Sequence, residues 1–230
     1  MLTKKNISVT AIVPVFNEDK LLEHSVKRLI SENIVDKIII VNDCSTDNSK
    51  SIMEELCNMY EFIDFYETSE NLGKGGAVRT IKEKIQTDYV IIHDADLEYF
   101  PKDIEKLISK VSFDEPTFVI GSRFINNSKP QNYIRTYVAN KLLSKIFSIK
   151  KKINVTDIAS CYKLFPTSFF KNTDFISNGF EFEVEIVAKY LNNHSNLHEC
   201  GIDYKSRTYS EGKKIKFSDF FKYIFAIIKF

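Results

Sequence analysis

The 230-residue chain predicts an α/β fold: a mostly parallel sheet flanked by helices, ending in an amphipathic C-terminal helical segment. Three observations predict it. Short apolar runs recur through the first half, separated by segments with apolar residues at helical spacing. That is the pattern of parallel strands buried on both faces and joined by crossover helices. Polar residues follow three of these runs directly, at Asn17-Glu18, Asp43 and Asp94 to Asp96. Ligands in open parallel sheets bind outside the carboxyl ends of the strands, so three strand ends point acids at one crevice. Finally, 43% hydrophobic and 27% charged residues are ordinary for a globular protein of this length with one substantial core.

The elements follow in order. Val9 to Phe16 reads as a buried strand, closed by Pro14 and Asn17. Leu21, Leu22, Val26, Leu29 and Ile30 recur at helical spacing. Ile38 to Val41 is a second strand, ending at Asn42-Asp43. Ile52, Met53, Leu56, Met59 and Tyr60 mark the next helix, with Ser45, Thr46 or Asp47 as caps. Ile63 to Glu67 is a third, weaker strand. Gly73 to Gly76 opens a helix carrying Val78, Ile81 and Ile85. Tyr89 to Ile92 is a fourth strand, and Pro101 starts a helix with Ile104, Leu107, Ile108 and Val111. Phe118 to Ile120 is a fifth strand. The second half is less regular. Asn140 to Lys152 alternates apolar residues with lysines, Val184 to Leu191 suggests a helix, and Leu197 to Tyr204 a late strand. One domain over 1–212 is expected, with a nucleotide-binding half to about residue 121 and an acceptor half over 122–212. Residues 213–230 form a basic amphipathic segment.

The formal net charge of +1 supplies no global field toward nucleic acid, and no nucleic-acid partner is expected. Cys44, Cys57, Cys161 and Cys200 form no C-x-x-C pair and are too sparse for a disulfide framework, so reduced thiols in a cytoplasmic enzyme are expected. Met1 to Ser8 is polar, which argues against a signal peptide, and no segment approaches the length of a membrane span. The triplet Asn126-Asn127-Ser128 then reads as a chance glycosylation match.

The most informative residues are His93-Asp94-Ala95-Asp96, which close the fourth strand. Strand alternation would point Asp94 and Asp96 the same way, with Ala95 turned away. Two carboxylates so placed repel unless a positive charge sits between them. Mg²⁺ is commonly held by one or two carboxylates plus substrate phosphates, which suggests an enzyme acting on a nucleotide diphosphate. Glu98, two residues on, adds a third oxygen donor. Against this, D-x-D occurs often by chance, and either acid would serve equally as a helix cap. Asp43 is placed to accept hydrogen bonds from a base, or alternatively to close the turn Asn42 to Asp47. In Asn71-Leu72-Gly73-Lys74-Gly75-Gly76 the glycines permit close backbone approach to a ligand, the helix N-terminus attracts phosphate, and Lys74 would neutralise a diphosphate. The segment is neither a Walker A loop nor a dinucleotide fingerprint.

Five motifs occur in order: Pro14 to Glu18, Val41 to Asp47, Asn71 to Arg79, Asp94 to Leu97 and Gly121-Ser122-Arg123-Phe124. Together they resemble the family 2 inverting glycosyltransferases of GT-A fold, a Rossmann-like nucleotide-sugar-binding fold. The branch they resemble is that of the polyprenyl-phosphate sugar synthases. The resemblance implies that Pro14, Asn17, Glu18 and Asp43 line a nucleoside pocket and that Lys74 lies near the donor sugar or diphosphate. It implies Mg²⁺ or Mn²⁺ at Asp94 and Asp96, with Glu98 where the branch often has Gln. Arg123 matches an arginine facing an acceptor phosphate, and Arg135 a second, although Ala139 replaces the serine usual four residues later. Asp157 and Ser160 to Lys163 resemble a D-x-x-[ST]-G-[FY]-[RK] segment with Cys161 in place of Gly. Arg207 and Glu211 to Lys214 resemble a late basic motif near a lipid phosphate, which adds Lys213 and Lys214 to the acceptor site.

The expected function is therefore a metal-dependent transfer of a hexose from a UDP- or GDP-linked sugar to a polyprenyl phosphate. The metal at Asp94 and Asp96 would stabilise the departing diphosphate, with Asp96 counted as catalytic. A phosphate acceptor is largely dianionic at neutral pH and needs no general base. A hydroxyl acceptor on a glycan, glycolipid or protein would need one, and Asp157 is then the candidate. Glu181, Glu183 and Glu185 are further candidates, or simply solvated helix charges. A non-catalytic sugar-nucleotide module is the reading from another class. Ile215, Phe217, Phe220, Phe221, Ile224, Phe225, Ile228 and Phe230, ringed by lysines, read as a helix lying on a membrane surface, the alternative being a terminal helix packed on the core. That places the enzyme at the cytoplasmic membrane face, with a membrane-anchored partner or a second copy as further expectations.

Overall fold

The computed structural model describes residues 7–112, 114–125, 134–207 and 217–230. The described strands are β1 (Val9–Val15), β2 (Lys37–Asn42), β3 (Ile63–Glu67), β4 (Tyr89–Ile92), β5 (Phe118–Ser122), β6 (Lys163–Pro166) and β7 (Leu197–Gly201). They form one sheet in the order β3-β2-β1-β4-β6-β5-β7. β1, β2, β3 and β4 pair in parallel, as do β5 and β7, while β6 runs antiparallel to both of its neighbours. Helices α1 (Leu22–Glu32), α2 (Ser49–Met59), α3 (Gly73–Thr80), α4 (Ile104–Ile108), α5 (Ile134–Lys151), α6 (Thr167–Lys171), α7 (Phe182–Asn193) and α8 (Phe217–Lys229) cover the sheet.

The parallel half forms as its sequence requires. Ala11, Ile12 and Val13 of β1 and Ile38, Ile39 and Ile40 of β2 are all buried, so these strands are covered on both faces. Leu22, Val26 and Leu29 form the buried stripe of α1. Asp47 accepts a hydrogen bond from the Ser49 amide at 3.0 Å, satisfying an orphan donor at the start of α2. It also accepts one from the Asp19 amide at 3.0 Å, which ties the turn after β2 to the one after β1.

Two parts of the second half depart from the sequence reading. β6 and α6 were not expected. Lys163 opens β6 and Pro166 ends it, residues that disguise a strand. Yet Lys163 is fully buried, because Glu183 neutralises it at 2.7 Å. The segment over 140–152 proves to be the C-terminal part of the long helix α5.

The terminal helix α8 combines the two readings offered for it. Tyr223, Ala226 and Ile227 are buried, and the helix packs on α5 and α7. Phe221, Phe225 and Ile228 on its opposite face are more than three-fifths exposed.

Candidate active site

A cavity of about 620 Å³ opens at the carboxyl ends of β1, β2 and β4. Pro14, Asn17, Glu18, Asp43, Lys74, Asp94, Asp96, Glu98, Arg123 and Arg207 all line it. Residues from the β1, β2 and β4 ends, from α3 and from the β5 end thus converge on one space, as the topology of an open sheet demands.

The aspartate pair reaches the cavity by a different route from the one expected. β4 stops at Ile92, and residues 95–97 form a turn in which Leu97 takes φ +63°. Strand alternation therefore does not orient Asp94 and Asp96. The turn does, and it buries Ala95. The two aspartates have opposite electrostatics. Asp94 Oδ1 lies 2.7 Å from Lys74 Nζ. Burial works to raise the Asp94 pKa, but Lys74 outweighs it and the net shift is downward. Asp96 is raised to about 7 by burial and by the nearby charges of Asp94 and Glu98, with Arg207 pulling the other way.

Arg207 is the cation that serves the acidic side of the cavity. Its Nη2 lies 3.0 Å from Asp96 Oδ2 and its Nη1 3.3 Å from Glu18 Oε2. Its backbone amide donates to Glu98 Oε1 at 2.7 Å, and the Tyr204 hydroxyl donates to Glu98 Oε2. Burial disfavours the guanidinium charge, yet Asp96, Glu18 and Glu98 raise its pKa. The residue expected near an acceptor phosphate thus bridges the β1 end to the Asp96-Glu98 turn.

On the opposite wall Lys74 sits between two acids, 2.7 Å from Asp94 and 2.8 Å from Glu183 Oε1. Burial opposes its charge, but Asp94, Cys161 and Glu183 hold its pKa well above the ordinary lysine value. Glu183 also holds Lys163 through its other oxygen. Glu183 and Glu185 are almost completely buried, so neither is a solvated helix charge. Glu185 accepts from the Ile176 and Ser177 amides and pairs with Lys189. Glu181 accepts from the Gly179 amide.

Glycine chemistry makes the Lys74–Glu183 contact possible. A Cβ on Gly75 would stand 2.5 Å from the Ser177 carbonyl oxygen and 2.6 Å from Phe182 Cβ. Only a residue without a side chain lets α3 approach the start of α7 this closely. The N-terminus of α3 is not open to a phosphate. Asp43 accepts from the Leu72 and Gly73 amides at 2.8 Å each, and from the Thr68 hydroxyl at 3.1 Å. Asp43 therefore caps the helix that carries Lys74, with both carboxylate oxygens engaged.

Arg123 is fixed from behind. Its Nε and Nη2 each lie 2.7 Å from the Asp157 carboxylate, and its own amide donates to Asp157 at 3.0 Å. Its guanidinium lies 5.0 Å from the Tyr204 ring centroid. Asp157 is fully buried and is not on the cavity wall, which leaves it no path to a substrate proton. Arg135 is exposed at the start of α5, away from the cavity. Lys213 and Lys214 lie outside the described residues, as do Glu211 and Gly212.

Asn17, at φ +52°, accepts from the Thr46 amide at 2.8 Å and so ties the β1 turn to the β2 turn. The sequence reading missed Tyr99, Tyr204 and Tyr223 on the cavity wall. Tyr99 accepts a hydrogen bond from the Cys161 amide at 2.9 Å. The aromatic spacing around Glu98 was the signal available for Tyr99, while nothing local marks Tyr223.

Among the described residues no three His, Cys, Asp or Glu side chains are placed to hold a metal ion by themselves. A hard divalent cation nonetheless fits the chemistry of the turn. Asp96 is a carboxylate burdened by acidic neighbours, and phosphate oxygens would complete its coordination.

An open α/β sheet with a charged cavity at the carboxyl ends of its parallel strands is the architecture of a ligand-binding α/β enzyme. Residues 10–173 match the model of glycosyl transferase family 2, and the chain belongs to that family. The chain is 32% identical over 176 residues to a UDP-N-acetylglucosamine–dolichyl-phosphate N-acetylglucosaminyltransferase of Methanococcus voltae, spanning 70% of each chain. It is 24% identical over 223 residues to a dolichol-phosphate mannosyltransferase of Pyrococcus furiosus, spanning 95% of this chain and 62% of that one. Among solved structures, glucosyl-3-phosphoglycerate synthase of Mycobacterium tuberculosis with UDP superposes with TM-score 0.74 at 15% identity, over 97% of this chain and 79% of that one. Mannosyl-3-phosphoglycerate synthase of Rubrobacter xylanophilus gives 0.73 at 16%, over 97% and 72%. The protein is a glycosyltransferase with the GT-A fold. Among its described residues no helix is long and apolar enough to cross a membrane.

Proposed function

We propose that the enzyme transfers a hexose, with inversion, from a UDP- or GDP-linked donor to a polyprenyl phosphate at a membrane face. The observation that carries this reading is the shared cavity: Lys74 and the Asp94-Asp96 turn face it from one side, and Arg123, gripped by Asp157, from another. A donor diphosphate and an acceptor phosphate can thus be held within one space of about 620 Å³, in the size range of ligand pockets. The names of the Methanococcus and Pyrococcus relatives, both acting on dolichyl phosphate, support the acceptor class.

The residues take the following parts. Pro14, Asn17, Glu18 and Asp43 form the nucleoside end. Asp96, together with donor phosphate oxygens, would hold Mg²⁺ or Mn²⁺, which when bound neutralises charge on the leaving diphosphate. Asp94, paired with Lys74, and Glu98, held by the Tyr204 hydroxyl and the Arg207 amide, flank it and add negative charge. The structure of the M. tuberculosis glucosyl-3-phosphoglycerate synthase in complex with Mn²⁺ and UDP supports this choice of ion. Lys74 keeps its proton throughout, because Asp94 and Glu183 stabilise the charge, and it supplies a fixed positive centre beside the diphosphate. Arg123 orients the acceptor phosphate, with Asp157 as its positioning residue. The phosphate oxygen attacks the anomeric carbon directly, and its charge removes the need for a base. Arg207 is placed to exchange carboxylates for phosphate. A hydroxyl acceptor is less well supported, since Asp157 has both oxygens committed to Arg123.

The outer surface suits a lipid acceptor. Ile134, Val138, Leu142 and Ile149 are exposed at helical spacing on α5, and Phe221, Phe225 and Ile228 are exposed on α8, which packs against α5. The same two helices carry Lys141, Lys145, Lys222 and Lys229. A basic, apolar face of this kind seats in the headgroup region of an anionic bilayer. The deciding experiment supplies radiolabelled UDP- and GDP-sugars, Mn²⁺ and short polyprenyl phosphates. Label passing into organic extract only with divalent ion supports the reading. Failure of every donor to label any lipid phosphate would refute it.

A further inference from the structure

Tyr223 carries an unspent hydroxyl. It sits on the inward face of α8, opposite Phe221, Phe225 and Ile228, and only 5% of the residue is exposed. It nevertheless lines the cavity, and the charged groups that act on it there are Glu183, Lys74, Arg123 and Asp94. It thus stands at the junction of the Lys74 wall and the Arg123 wall.

Buried phenols are normally hydrogen-bonded. The other two tyrosines of the cavity obey this: Tyr99 accepts from the Cys161 amide, and Tyr204 donates to Glu98. Tyr162, behind the wall, pairs with His93 at 2.9 Å. The Tyr223 hydroxyl has no hydrogen bond among the described residues. Its ring is fixed by the packing of α8 on α5 and α7, so the hydroxyl is held at the cavity with its donor and acceptor capacity open.

We propose that Tyr223 is a specificity-determining residue whose hydroxyl is completed by the donor hexose, through a hydrogen bond to a sugar hydroxyl or amide. The assignment rests on the proposed function, which places the hexose between Lys74 and Arg123. A polar, uncharged partner matches a neutral phenol beside Lys74 and Arg123, whose charges are already engaged by Asp94, Glu183 and Asp157.

The test is Tyr223→Phe, which keeps the ring and its packing. Binding of UDP against UDP-N-acetylglucosamine, and of GDP against GDP-mannose, is measured by calorimetry with Mn²⁺ for wild type and variant, alongside KM for donor and acceptor. The expected result is unchanged affinity for the free nucleotide and a loss of about 3- to 10-fold for the nucleotide sugar, the size of one neutral hydrogen bond. Acceptor KM should not move. Equal discrimination between sugar and free nucleotide in the two proteins overturns the assignment, as does a loss confined to acceptor KM. A wild type that binds no nucleotide sugar overturns it together with the reading on which it rests.

Discussion

Arg207 Nη2 lies 3.0 Å from Asp96 Oδ2, so the carboxylate best suited to a divalent ion is already paired with a cation. The two partners are unequal: burial, Asp94 and Glu98 hold the Asp96 pKa at about 7 despite the arginine.

Asp96 therefore opposes folding at alkaline pH. Its pKa is raised in the folded chain from an ordinary 3.8 to about 7. Its favourable share of stability is fully present below the unfolded value and is lost as pH rises toward and through about 7. Asp96→Asn should raise Tm by a few degrees at pH 8, by less at pH 5, and not at all below the unfolded value of 3.8, read by scanning calorimetry. The same variant should lose transfer activity.

Removing the competing cation should favour the metal. Arg207→Gln is expected to bind Mn²⁺ about threefold or more tightly in the absence of substrate, since an adjacent positive charge is gone. Transfer should fall, because the acceptor side loses a guanidinium. Mn²⁺ titration followed by electron paramagnetic resonance gives the first quantity, and an unchanged affinity would contradict the idea of competition.

Asp157 should behave as a support for Arg123. Its carboxylate is fully buried and takes both arms of the guanidinium. Asp157→Ala leaves a buried charge uncompensated and should cost about 3–5 kcal/mol in urea unfolding. Asp157→Asn should cost less and raise KM for the acceptor more than it lowers kcat. A general base would give the reverse split.

His93 sets an acid limit. It is buried between the Ser25 hydroxyl at 3.2 Å and the Tyr162 hydroxyl at 2.9 Å, and burial lowers its pKa from 6.5 to about 4. Folding requires the neutral ring, so this contribution is present above 6.5 and disappears as pH falls toward 4, a change of about 3 kcal/mol. Denaturation curves of His93→Gln should lack that part of the acid slope.

The exposed face of α8 should matter to lipid binding alone. Serine at Phe221, Phe225 and Ile228 together should abolish sedimentation with anionic vesicles, since each side chain fully buried in lipid contributes about 1.5–3 kcal/mol. Tm should hold, because all three residues are more than three-fifths exposed. Retained sedimentation would direct attention to α5.

The parallel half of the sheet was legible because its signals are local. Four apolar runs ended where the structure ends β1 to β4, within a residue or two. The cavity-lining acids were legible for the same reason, as they follow those runs. What escaped was set by distant partners. Lys163 could not be read as a strand residue without Glu183, twenty positions away. Glu183 looked like a surface charge until Gly75 let α3 approach it. Asp157 and Arg123 were both noticed, but their bond decides that one is the support and the other the tool. Turn geometry at Leu97, not strand alternation, set the aspartate pair, and a single sequence rarely marks a non-glycine residue for the left-handed region.

The two-sided nature of α8 has a practical corollary. A protein chemist troubled by aggregation would first shave off this greasy tail, expecting to discard only an anchor. That edit also removes Tyr223, the residue through which α8 lines the reaction chamber. Inactivity of such a truncation would not measure a need for lipid, and soluble variants are better sought by repainting the outer residues while the helix stays in place.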